Sequence, residues 1–172
     1  MDGSTAFPEG PFASDAPHAK VTQDGNRVTM PVFSGQTRDQ LRQLYLDAWR
    51  KYTARHPLEP LEAQLAAVIA EHPEYIPLLE SNPEALTTDY TPEGGRENPF
   101  LHMGLHLAIR EQVATNRPPG ITQIHQTLSK RLSDPHTAEH AMLEVLAETL
   151  WESQRAGRPP DEQRYLERLR AL

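Results

Sequence analysis

Asn98-Pro99-Phe100-Leu101-His102-Met103-Gly104-Leu105-His106-Leu107-Ala108-Ile109-Arg110-Glu111-Gln112-Val113 reads as one helix. Asn98 is its N-cap, because a short amide side chain accepts a backbone N–H that the first turn leaves unpaired. Pro99 suits the first helical position, where no N–H is needed. Leu101, Leu105, Ala108, Ile109 and Val113 then return at three- and four-residue steps, which places them on one broad face. His102 and His106 lie one turn apart on the flank of that face, in line with Ile109 and Val113, and are expected to look inward. Glu111 falls on the opposite side. Gly104 sits between the histidines, where a glycine costs about 1 kcal/mol relative to alanine, so a close approach to the backbone is expected there.

The same opening device recurs at Asp134-Pro135, which starts a helix running to about Ala156-Gly157. Its apolar face is Leu143, Leu146, Ala147 and Leu150. His136, His140, Glu144 and Trp151 lie along one edge of that face, with His140 and Glu144 pointing the same way. His136 is the most expendable of the histidines, since its place beside Pro135 gives it an ordinary structural role.

Outward from these two helices the pattern stays helical. A first helix is expected from Thr37 to Arg55, with Leu41, Leu44, Tyr45, Ala48, Trp49 and Tyr52 as its stripe and His56-Pro57 as its stop. A second begins at Pro60, carries Leu61, Leu65, Val68 and Ile69, and stops at His72-Pro73. A short helical segment follows near Ile76–Glu80, and residues 87–95 read as a loop. Ile121, Ile124, Leu128 and Leu132 mark a helix between the two histidine helices. Tyr165, Leu166 and Leu169 mark a short last one after Pro159-Pro160. The fold class is therefore all-α, a bundle of about six helices over residues 36–172 as a single domain. Residues 1–35 read as a disordered or extended arm, with a small hairpin at 19–33 around Asp24-Gly25-Asn26.

Composition excludes several classes of function. The 172 residues contain no cysteine, so disulfides, thiolate catalysis, iron–sulfur clusters and cysteine zinc sites are out. The start, Met1-Asp2-Gly3-Ser4-Thr5, lacks the basic and apolar runs of a signal peptide, and no apolar stretch reaches the roughly 20 residues of a membrane span. A cytoplasmic location is the expectation. The net charge of -7 is concentrated in residues 57–95, which carry eight acids and no Lys or Arg. Arg155, Arg158, Arg164, Arg168 and Arg170 are interleaved with Glu162 and Glu167, a solvated face rather than the basic stripe that nucleic acid requires. No nucleic-acid or membrane partner is expected, whereas a protein partner or a homodimer is compatible with the chain. Phosphate-loop and nucleophile-elbow motifs are missing.

The histidine pairs carry the chemistry. Imidazole and carboxylate donors suit zinc, iron or manganese, and two helices that each offer a one-turn pair can build a metal site in a bundle core. The expected ligands are His102, His106, His136, His140 and Glu144, with one divalent ion between the two helices. Glu144 or Glu139 would be a proton acceptor if the ion were catalytic. Glu62 is the best additional carboxylate from the second helix. His56 and His72 read as cationic groups at helix ends, His125 as semi-exposed, and Trp49, Tyr45, Tyr52 and Trp151 as core aromatics. The rival reading is a non-enzymatic interaction module in which the histidines are structural. A third is an apolar small-molecule pocket near Gly104, lined by Trp49 and Trp151.

The run 98–112 closely resembles the signature of a bacterial family catalogued as domain of unknown function 1841. His136-Thr137-Ala138-Glu139-His140, with Glu144, Leu150-Trp151-Glu152 and Gln154-Arg155, looks like a second block of that family. Residues 56–62 and 71–75 are similar to its first. The resemblance spans roughly residues 37–172 and implies a cytoplasmic proteobacterial protein. It implies no activity, so the metal reading stands on the residues alone.

Overall fold

The computed structural model describes residues 37–81, 90 and 98–172, and there are seven α-helices among these described residues. The arm at 1–35, the hairpin expected within it and most of the 87–95 loop lie outside the described residues. The helices are α1 (Arg38–Thr53), α2 (Pro60–Ala70), α3 (Ile76–Ser81), α4 (Pro99–Thr115), α5 (Ile121–Leu132), α6 (Pro135–Ala156) and α7 (Glu162–Ala171), with a 3-10 turn at Pro73–Tyr75. The all-α expectation holds. The count is seven because the short stretch after Tyr75 is a helix of its own. Among the described residues there is no strand, and no helix is long and apolar enough to cross a membrane.

The described chain forms two compact units. One comprises residues 37–81 and 98–110. The other comprises Tyr90 and residues 111–172, so α4 begins in the first unit and ends in the second.

In the first unit α1 packs on α2, and α3 reaches α1. Thr37 starts α1 with a reciprocal cap: its hydroxyl accepts from the Gln40 N–H while the Gln40 amide oxygen accepts from the Thr37 N–H. Tyr45, Leu46, Ala48 and Trp49 are buried from α1, and Leu65, Ala66, Val68 and Ile69 from α2. Trp49 donates its indole N–H to Glu80 at 3.0 Å, which satisfies the polar edge of a buried aromatic. Burial, with no charged partner in play, pushes the Tyr45 phenol well above its ordinary range. Tyr52 departs from its expected place. It is 48% exposed and stacks on Trp49, because it lies in the last turn of α1, one residue from its end.

Asn98 caps α4 as expected, its side-chain oxygen accepting from Phe100 N and Leu101 N at 3.1 and 3.2 Å. Phe100 meets Tyr45 edge-on at 5.7 Å, with the buried Arg42 guanidinium over its ring at 5.1 Å. Every residue from His102 to Ile109 is buried, so this stretch is enclosed on all sides rather than on one face.

In the second unit α6 is the centre, packed on by α5 and α7. Asp134 caps α6: its carboxylate accepts from Thr137 N at 2.8 Å, His136 N at 3.4 Å and the Thr137 hydroxyl at 2.6 Å. The Thr137 hydroxyl, then the two backbone N–H groups, hold the Asp134 carboxyl below its ordinary range. Gly157 ends α6 at φ +60°, the left-handed conformation that favours glycine. On α7, Arg168 pairs with Glu152 of α6 at 2.7 Å, and buried Tyr165 donates to buried Gln112 at 2.9 Å.

Candidate metal centre

Histidines of a metal-ligating kind occur in both units, and the two sets of side chains are positioned differently. The first joins residues that are far apart in sequence. His102 and His106 come from α4, one turn apart, and are 8% and 0% exposed. Both look inward, as their place on the flank of the apolar face predicts. The third member is His72, just beyond the end of α2 and 1% exposed.

The three rings meet through the same atom. His72 Nε2 is 3.1 Å from His102 Nε2, and His102 Nε2 is 3.2 Å from His106 Nε2. One ring nitrogen from each of the three lies within 4.8 Å of the others. The ring centroids are 4.7 to 5.0 Å apart and the planes are tilted or edge-on. Tyr75 stacks on His72 at 5.6 Å and meets His102 edge-on at 5.7 Å, closing one side of the cluster. Beside it, Arg110 of α4 pairs with Glu71, the C-cap residue of α2.

His72 is therefore not a solvated cation at a helix end. Pro73 does stop α2, but the ring folds back, and its Nδ1 meets the Val68 carbonyl at 2.7 Å. A carbonyl only accepts, so Nδ1 carries the proton and the neutral ring offers a lone pair at Nε2. The missed signal was periodic: Leu61, Leu65, Val68 and His72 are spaced four, three and four apart, so His72 continues the buried stripe of α2. His56, the other histidine before a proline, is exposed.

The second donor set belongs to one helix. On α6 the His136 and His140 rings are 4.4 Å apart and nearly perpendicular, and both residues are half-buried. The carboxylate beside them is Glu139, 8% exposed, with an oxygen within 4.8 Å of a His136 ring nitrogen. Glu144, expected as a ligand, is exposed. At 100° per residue Glu139 falls between Leu143 and Leu146, in the middle of the apolar face, whereas Glu144 has rotated well past its edge. An acid in mid-stripe was the available signal for Glu139.

Glu62 is occupied elsewhere. It pairs with Lys51, and the hydrogen bond from Lys51, then that from the Glu59 N–H, holds its carboxyl below its ordinary range. Trp151 is half-buried beneath the Arg155 guanidinium at 4.5 Å, and His125 is half-buried on α5.

A family model described as Domain of unknown function (DUF1841) matches residues 37–171. No curated protein and no solved structure matches the chain.

Proposed function

The chain belongs to the DUF1841 family, and we propose, from the donors it carries, that it is a metal-binding helical protein whose His72, His102 and His106 hold one divalent transition-metal ion. The observation that carries this reading is the convergence of three buried Nε2 atoms at 3.1 and 3.2 Å.

Hydrogen bonding among the rings does not account well for that convergence. A neutral imidazole has one donor nitrogen and one acceptor nitrogen. His102 Nε2 faces both neighbours, yet one ring nitrogen has one in-plane position, filled by a proton or by a lone pair. A proton there can point squarely at one neighbour only. A cation accepts all three lone pairs at once. Zinc–nitrogen bonds of about 2.0–2.1 Å put the donors of a tetrahedron about 3.4 Å apart, close to the spacing seen. The His72 Nδ1 bond to Val68 is also the support that metal-binding histidines usually have, a backbone carbonyl behind the ring.

All-imidazole donors suit zinc or iron better than manganese, which favours carboxylate. A divalent ion held by imidazoles supplies a Lewis acid.

The test is elemental analysis of protein prepared without a histidine tag and loaded separately with zinc, iron(II) and manganese. One zinc or iron per chain is expected to depend on His72, His102 and His106. That ion should be lost in His72→Ala and in His102→Ala/His106→Ala and retained in His125→Ala. Bound zinc at a hundredfold excess over its dissociation constant contributes about 2.7 kcal/mol, so removing it with a chelator should lower Tm by roughly 5–10 °C. An ion that survives loss of both α4 histidines, or no uptake of any of the three metals, returns the cluster to a structural role in an interaction module.

A further inference from the structure

Of His72, His102 and His106, His72 is the one that lies outside α4, so the geometry of the cluster depends on how the end of α2 meets α4. The Val68 carbonyl fixes the His72 ring relative to α2. It does not fix α2 relative to α4. α2 packs on α1, and its end meets α4 through side chains: His72 with His102 and His106, and Glu71 with Arg110.

The ion pair stands in register with the cluster. On α4, His102, His106 and Arg110 follow at four-residue steps, so they lie along one side of the helix. On α2, Glu71 and His72 are neighbours at the point where the helix ends. Two adjacent residues of one element thus address one stripe of the other. A single point of attachment leaves a helix end free to pivot, whereas two hold its direction.

Glu71 does not serve α2 itself. As the C-cap it puts a negative charge at the negative end of the helix dipole, where a cation is favoured, and the last turn of α2 holds no basic residue. Arg110 supplies the positive charge from the other helix. Nor does the pair add much stability. Glu71 is exposed and Arg110 half-buried, and ion pairs open to water are weak. What the pair supplies is direction. Metal donors have to be held to within about 0.5 Å of the binding geometry, a finer tolerance than folding requires.

On the reading of this cluster as a metal centre, we infer that Glu71 and Arg110 are its positioning residues, an ion pair outside the donor set that holds His72 against the α4 pair. The placement of His72 is measurable with no metal bound, so the two readings fail separately.

The test uses the full chain and three variants. Arg110→Met keeps the stem and removes the charge, Glu71→Gln keeps the shape, and Glu71→Arg/Arg110→Glu exchanges the partners. In the metal-free chain, nuclear Overhauser contacts between the His72 and His106 rings should weaken in each single variant and return in the exchange. The Nδ1-protonated tautomer of His72, read from its ring nitrogen shifts, should persist throughout, because Val68 sets it. Zinc dissociation constants from competition titration should rise about tenfold in each single variant and return to the wild-type value in the exchange. The Tm of the metal-free chain should fall by no more than about 4 °C. Plain electrostatics predicts otherwise, since removing a cation favours a bound dication and removing an anion disfavours it. Single variants that shift zinc affinity in opposite directions therefore overturn the inference. So do unchanged ring contacts, a loss that the exchange does not restore, or a large fall in Tm, which would mean that the pair acts on folding. A wild-type chain that takes up no zinc overturns the metal reading, and the ring contacts then decide the positioning role by themselves.

Discussion

The two units place histidines by opposite means. In the first, three imidazoles converge because a helix end and a separate helix are packed together, and His72 is 30 residues away from His102. In the second, His136, Glu139 and His140 are brought together by the turn of α6 alone. A site made by packing inherits the stability of the core around it. An arrangement made by one helix needs only that helix to be formed. The two should therefore respond differently to damage away from their donors.

The largest separation is expected from the core of the first unit. Ile69 is fully buried near the end of α2, three residues before His72. Ile69→Ala should cost about 2–5 kcal/mol in chemical denaturation. It should also weaken the metal bound by His72, His102 and His106. An unchanged zinc affinity would break the link between that core and the convergent cluster. A smaller effect is expected from the second unit. Tyr165→Phe removes the donor to buried Gln112 and should cost about 1–3 kcal/mol in the same measurement, with the convergent cluster still binding its ion.

The smallest effect concerns the start of α6. The folded Asp134 carboxyl lies below its unfolded value, so its contribution is complete above about pH 3.9 and is lost as the pH falls through the lower, folded value. The backbone amide signals of His136 and Thr137 should titrate with a midpoint below about 3.9, and that titration should vanish in Asp134→Asn. A midpoint above that value would mean that the cap does not hold the charge.

The same contrast explains what the sequence made legible. Caps and periodicity are local, and Thr37, Asn98-Pro99 and Asp134-Pro135 each open the helix they announce. The inward-facing pair on α4 was equally local. The third imidazole was not, because convergence of α2 with α4 is a tertiary event, and His72-Pro73 has an ordinary reading as a helix stop. Glu139 was concealed differently. An acid is expected at the edge of an apolar face, which favours Glu144, although the angular position of Glu139 points inward. Tyr52 shows the converse error, an aromatic on the stripe that ends exposed because α1 stops one residue later.

The end of α2 has a further consequence. In a continuing helix the backbone N–H of residue 72 would donate to the Val68 carbonyl. Here it donates to Ile69 instead, at 3.0 Å, and the imidazole of the same residue takes its place on Val68. One bond thus closes the helix and selects the tautomer. Rotating the ring by half a turn would leave a buried carbonyl unserved, so the orientation of His72 is settled when α2 folds. The conformational entropy of aiming that nitrogen is spent during folding and is not charged again to any later encounter.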